Sequence, residues 1–102
     1  VGTLTQQSIE RFKVDYAVIG CSALDEAGDL LDFDLQEVGV SQTIIEQARQ
    51  TFLVADQSKF QRSAPVRITS LEGLSAMFTD AAVAPALAER CAAWDTAVHL
   101  CP

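Results

Sequence analysis

Apolar and polar positions along the chain fall into short blocks whose spacing alternates between strand and helix. Tyr16-Ala17-Val18-Ile19 is a compact apolar run closed by Gly20, and Phe52-Leu53-Val54-Ala55 is a second, closed by the polar turn Asp56-Gln57-Ser58-Lys59. Runs of this length, rich in β-branched and aromatic residues and ended by turn formers, suit interior strands of a parallel sheet. Leu74 to Thr79 reads as a third core strand ending at Asp80. Val66 to Thr69 reads as a short edge strand after the break at Ser63-Ala64-Pro65, and Ala97 to Leu100 as a final strand.

Between the strands the spacing changes. Leu4, Ser8, Ile9 and Phe12 fall at helical intervals, with Thr3 or Thr5 as N-cap. From about Leu35 to Gln50, Val38, Ile44, Ile45 and Ala48 stand among polar residues, the pattern of an amphipathic helix. Pro85 suits a first helical turn, and Ala86 to Trp94 continues it until Asp95-Thr96 turns the chain. The segment Cys21 to Asp34 is acidic, contains Gly28 and shows no clear period, so it is expected to be loop. Strands alternating with helices predict an α/β domain: a mostly parallel sheet with helices on both faces and right-handed crossovers.

That architecture places candidate chemistry at one edge. Ligands of open α/β sheets bind outside the carboxyl ends of the strands. Gly20 to Asp25, Asp56 to Lys59 and Thr79-Asp80 follow three of the expected strands, so one parallel sheet brings them together. A lysine such as Lys59 suits a phosphate or a sugar hydroxyl, while Asp and Ser suit hydroxyl groups. Asp56 and Asp80 also have the ordinary role of capping turns.

Composition narrows the function classes. A chain of 102 residues, 49% hydrophobic with 5 Gly and 3 Pro, is neither disordered nor collagen-like, and holds at most one small domain. No apolar run approaches the ~20 residues of a membrane-spanning helix. Seven basic against fourteen acidic residues give a net charge of −7. Nucleic-acid affinity comes from neutralising phosphates with Lys and Arg, so any DNA contact is expected from a part of the protein outside this chain. The chain begins at Val1 without a signal pattern, and the expectation is a cytoplasmic piece of a longer protein.

Cys21, Cys91 and Cys101 form no C-x-x-C pair and read as reduced, mostly buried small residues, with His99 a strand residue beside the last of them. The acidic run Asp25, Glu26, Asp29, Asp32, Asp34 and Glu37 lacks the oxygen spacing of a calcium loop and reads mainly as a solvated face. No G-x-S-x-G elbow, G-x-G-x-x-G turn or P-loop occurs. No metal site or cofactor is expected.

Taken in order, several elements carry a family resemblance. They are Val1-Gly2-x-Leu4, Asp15-Tyr16-Ala17-Val18-Ile19-Gly20, Leu24-Asp25, Phe33-Asp34-Leu35-x-Glu37, Val54-Ala55-Asp56-x-Ser58-Lys59-Phe60 and Phe78-Thr79-Asp80. Together they resemble the C-terminal sensor domain of DeoR-type bacterial transcriptional repressors over nearly the whole chain. The Ala-Asp-x-Ser-Lys-Phe element is the most specific of them. The chain departs from the family pattern at Ala23, where Gly is common, and at Ser41, where a lysine often stands.

The resemblance implies a Rossmann-like fold related to ribose-5-phosphate isomerases, present here as a partial domain spanning 1–102. It implies a phosphorylated sugar as small-molecule effector and relief of DNA binding when the effector is bound. It also implies a winged helix-turn-helix elsewhere in the protein and a homo-oligomer. The residues expected to hold effector are Lys59 for its anionic or hydroxyl groups and Asp25 for hydroxyls, with Ser22, Glu37 and Asp56 in support. The base and electrophile set of an isomerase is incomplete. A catalyst, or a module that only oligomerises its DNA-binding partner, are the alternatives.

Overall fold

The computed structural model describes residues 3–102, with side chains from Gln6 onward. Elements run α1 (Thr3–Ile9), β1 (Val14–Ile19), β2 (Ala23–Leu24), β3 (Asp29–Asp32), α2 (Leu35–Gln47), β4 (Ala48–Val54), β5 (Val66–Ser70), β6 (Ala76–Thr79), α3 (Pro85–Ala93) and β7 (Ala97–Leu100). Short 3-10 turns occupy Gln57–Gln61 and Leu71–Gly73. The N-cap expected of Thr3 or Thr5 falls on side chains outside those described.

Four strands form an all-parallel sheet in the order β1-β4-β6-β7. Ile19, Leu53 and Met77 stand side by side in register and point into the core. They join Val38 of α2 and Leu87 and Cys91 of α3 in one buried cluster. The fold is therefore the α/β class with a mostly parallel sheet.

The strand order advances in a single direction, and right-handed crossovers then lie over one face. The opposite face is open among the described residues, so the helices expected on both faces are found on one, because a sheet that grows in a single direction sends its right-handed crossovers to the same side. On the open face the rings of Tyr16, Phe52, Phe78 and His99 form a row across all four strands, with successive centroids 5.9, 6.1 and 4.7 Å apart; the outer two pairs are stacked and Phe52 meets Phe78 edge-on. Tyr16 and Val18 are each 67% exposed on it. The strand role expected of His99 is met.

The segment from Cys21 to Asp34, expected to be loop, is instead mostly a hairpin. Ala23 and Leu24 pair antiparallel with Leu31 and Leu30, and β3 pairs with β5 to make a second, three-stranded sheet. Strands of two and four residues are too short to show a period, yet Leu24 and Leu30 are wholly buried. The turn closes on Asp25, whose carboxylate accepts from Asp29 N at 2.9 Å and whose carbonyl accepts from Gly28 N. Gly28 sits at φ +88 with the Trp94 ring 2.8 Å from where a Cβ would be, so only glycine fits. Val66–Ser70 is an edge strand as expected, but of this second sheet.

Helix α2 is capped by Asp34, which accepts from Gln36 N and Glu37 N. It ends three residues before the expected Gln50, because Ala48 and Gln50 are drawn into the parallel ladder opposite Val14 and Tyr16. Helix α3 ends in a Schellman arrangement. Thr96 N donates to Cys91 O and Asp95 N to Ala92 O, with Asp95 at φ 59 in the position glycine usually fills. The Thr96 hydroxyl then reaches the carbonyls of Leu71 and Leu74, fixing where β7 begins.

Candidate functional site

The carboxyl ends of β1, β4 and β6 converge with the β2–β3 hairpin. Chain direction ends each strand in a polar loop here, and two aspartates lock the loops. Asp56 caps the 3-10 turn Gln57–Gln61, its Oδ1 accepting from the backbone N–H and the hydroxyl of Ser58. Asp80, at the end of β6, accepts from Gln57 N at 2.8 Å and so ties the neighbouring loop to its own. The Ser58 hydroxyl and N–H, then Lys59 and Arg62, hold the Asp56 carboxyl below the usual aspartate range.

Around this turn the expected residues divide. On one side lie Cys21, Ser22, Asp32, Asp56 and Lys59. The Ser22 hydroxyl donates to Asp32 Oδ1 at 2.8 Å, which also accepts from Phe33 N. Lys59 Nζ stands 3.9 Å from Asp56 Oδ2, a long contact for an ion pair, with its side chain 24% exposed. Burial pushes the Cys21 thiol up to about 11. Lys59 pulls it down, while Asp32 and Asp56 add to the rise, so all three charged groups act on the same spot. The thiol is therefore protonated at neutral pH.

On the other side, Asp25 joins Leu24, Glu26, Gln57, Phe60, Gln61 and the Ala81–Ala84 loop around a cavity of about 200 Å³. One Asp25 oxygen is already used by the hairpin turn. Glu37 lies apart from both groups: it is exposed in the first turn of α2, and no described hydrogen bond or ion pair joins its carboxylate to them. Asp32, Gln57 and Gln61 were not among the expected site residues. Asp32 was hidden in an acidic run, and nothing in the local pattern marks the two glutamines.

Cys21, Cys91 and Cys101 are all free thiols, Cys91 buried and Cys101 exposed. No group of three or more metal-ligating side chains occurs among the described residues, and no described helix is long and apolar enough to cross a membrane.

The parallel α/β sheet thus carries a cationic and hydroxyl-bearing cluster and a small cavity at its strand ends, the edge at which sheets of this class bind ligands. The family comparison makes this specific. Residues 1–81 match the model of the DeoR C terminal sensor domain, and the chain belongs to that family. It is 47% identical over 79 residues to a glycerol-3-phosphate regulon repressor of Haemophilus influenzae, covering 78% of this chain and 31% of that protein. The protein of the same description in Escherichia coli K12 is 41% identical over 81 residues, covering 79% of this chain and 32% of that one. The HTH-type transcriptional repressor CsqR of E. coli K12 is 34% identical over 90 residues, or 88% of this chain and 34% of the repressor. The chain thus spans about a third of the length of these relatives.

Proposed function

We propose that this chain is the effector-sensing part of a DeoR-type transcriptional repressor of carbohydrate metabolism. A phosphorylated sugar or small polyol phosphate binds it, without turnover, and relieves DNA binding. Two of the relatives are described as repressors of a glycerol-3-phosphate regulon, which makes a three-carbon phosphate the first compound to test. The repressor acts in the cytoplasm as a homo-oligomer and reaches DNA through sequence outside this chain.

The observation that carries the proposal is the half-buried Lys59 at the strand ends, whose one ion pair among the described residues is a 3.9 Å contact with Asp56, and whose charge acts with those of Asp32 and Asp56 on the Cys21 thiol. A lysine with one long contact keeps donors for an incoming phosphate oxygen. Asp56 positions Lys59 through the turn it caps, Ser22 adds a hydroxyl, Asp25 accepts from hydroxyls, and Glu37 serves only a ligand that reaches the start of α2. Effector acts by preferring one state of the oligomer, since only differential affinity shifts an equilibrium.

The test is Lys59→Ala in a regulator carrying this domain, read by operator binding with and without glycerol 3-phosphate. Repression should persist while the effector concentration for release rises about tenfold or more, the loss of one charge-assisted contact. An unchanged response would sink the sensor assignment of Lys59. Operator binding that no sugar phosphate alters would favour a module that only oligomerises.

A further inference from the structure

The cavity beside the 3-10 turn has a chemistry unlike that of the Lys59 cluster. Its polar lining residues are Asp25, Glu26, Gln57 and Gln61, and no Lys or Arg lines it. A phosphate entering there would meet two acids and no cation. Hydroxyl groups fit instead: carboxylates accept from O–H, and each glutamine offers both a donor and an acceptor. Leu24, Phe60, Val83 and Leu87 supply apolar wall for the C–H side of a polyol. The volume, about 200 Å³, is below the ~300–1,000 Å³ typical of pockets for drug-sized ligands. It has room for a chain of a few hydroxylated carbons.

The walls are well determined. Asp25 is held by the hairpin turn, with Oδ1 bonded to Asp29 N, which leaves its second oxygen for a ligand. Gln57 is anchored through its backbone N–H to Asp80, which fixes the start of the turn on the cavity side. The same turn carries Gln57, Phe60 and Gln61 on the cavity side and the Lys59 ammonium by Asp56.

We propose that this cavity is a binding site for a small neutral polyol, either free or as the uncharged part of a phosphorylated effector. The proposal rests on the sensor reading for its biological meaning, but the binding can be tested without it. Amide-resolved NMR of a full-length regulator carrying this domain, isotope-labelled in this segment, would follow titrations with glycerol, glycerol 3-phosphate, inorganic phosphate and ethanolamine. Glycerol and glycerol 3-phosphate should both move the amides of Gln57, Gln61, Ala81 and Ala82, and inorganic phosphate should leave them in place. Ala82→Leu fills the cavity from an exposed wall position, and Gln61→Ala removes one amide. Each should weaken the glycerol response about tenfold, the equivalent of ~1.4 kcal/mol.

Three results would overturn the site: no movement of those amides with either polyol, a response unchanged in both variants, or a stronger response to ethanolamine or phosphate than to glycerol. Glycerol 3-phosphate shifts confined to Cys21, Ser22 and Lys59 would remove this cavity and leave the sensor reading standing. A glycerol response here with no phosphate compound acting near Lys59 would do the reverse.

Discussion

Gly28→Ala tests the packing that places the hairpin, and with it Ser22, Asp25 and Asp32. Two costs can be worked from the geometry. A Cβ at φ +88 is strained by about 1–2 kcal/mol. The same Cβ would sit 2.8 and 2.9 Å from two carbons of the Trp94 ring, which must shift against Leu87, and overpacking of this kind costs about 1–3 kcal/mol. The sum, about 2–5 kcal/mol, is a large part of the ~5–15 kcal/mol that holds a typical domain together. Urea unfolding followed by far-ultraviolet circular dichroism would measure it, because Trp94 is the only tryptophan and its fluorescence reports the perturbed site itself. In a Trp94→Leu background the steric part should vanish and the backbone part remain, leaving about 1–2 kcal/mol and a coupling of about 1–3 kcal/mol between the two positions. A Gly28→Ala cost below about 0.5 kcal/mol, or an equal cost in both backgrounds, would refute the reasoning.

Other expectations follow from the same geometry. The Asp56 carboxyl is held below its ordinary value, so its contribution to stability is complete above the unfolded value of ~3.9 and is lost as pH falls through the lower folded value. Asp56→Asn should remove that part of the acid-induced loss; identical pH–stability curves for variant and wild type would contradict it. The two faces of the sheet should respond oppositely to substitution. Val18→Lys on the open face should stay within about 0.5 kcal/mol of wild type, while Leu53→Ala, fully buried on the core face, should cost about 2–5 kcal/mol. Comparable losses in denaturant unfolding would mean that the open face is covered in solution.

Much of the fold was legible because period and punctuation agreed. The apolar runs Tyr16–Ile19 and Phe52–Ala55, each followed by a turn former, fall within or overlap β1 and β4. Pro85 opens α3, and Asp95-Thr96 turns the chain into β7. The hairpin was not legible, because β2 and β3 together hold too few residues to repeat a pattern. Leu24 and Leu30 mark it only once their burial is known. The end of α2 was misplaced for a related reason: Ala48 to Gln50 continue a helical pattern locally, and only the ladder with β1 makes them strand.

The site divides along the same line. The chain alone determined which chemical groups follow the strands, since Ser22, Asp25, Asp56 and Lys59 stand next to apolar runs that end in turns. Strand direction then sends those groups to one edge. Which groups meet was decided by tertiary structure. The sequence separates Ser22 from Asp32 by a hairpin and Gln57 from Asp80 by two further strands, and hydrogen bonds of 2.8 Å join each pair. The 3-10 turn sends Lys59 toward Asp56 and Gln57, Phe60 and Gln61 toward the cavity, a division that no linear spacing encodes. Local pattern carries the polarity and direction of each segment, but contacts between segments depend on how a whole sheet is ordered and packed.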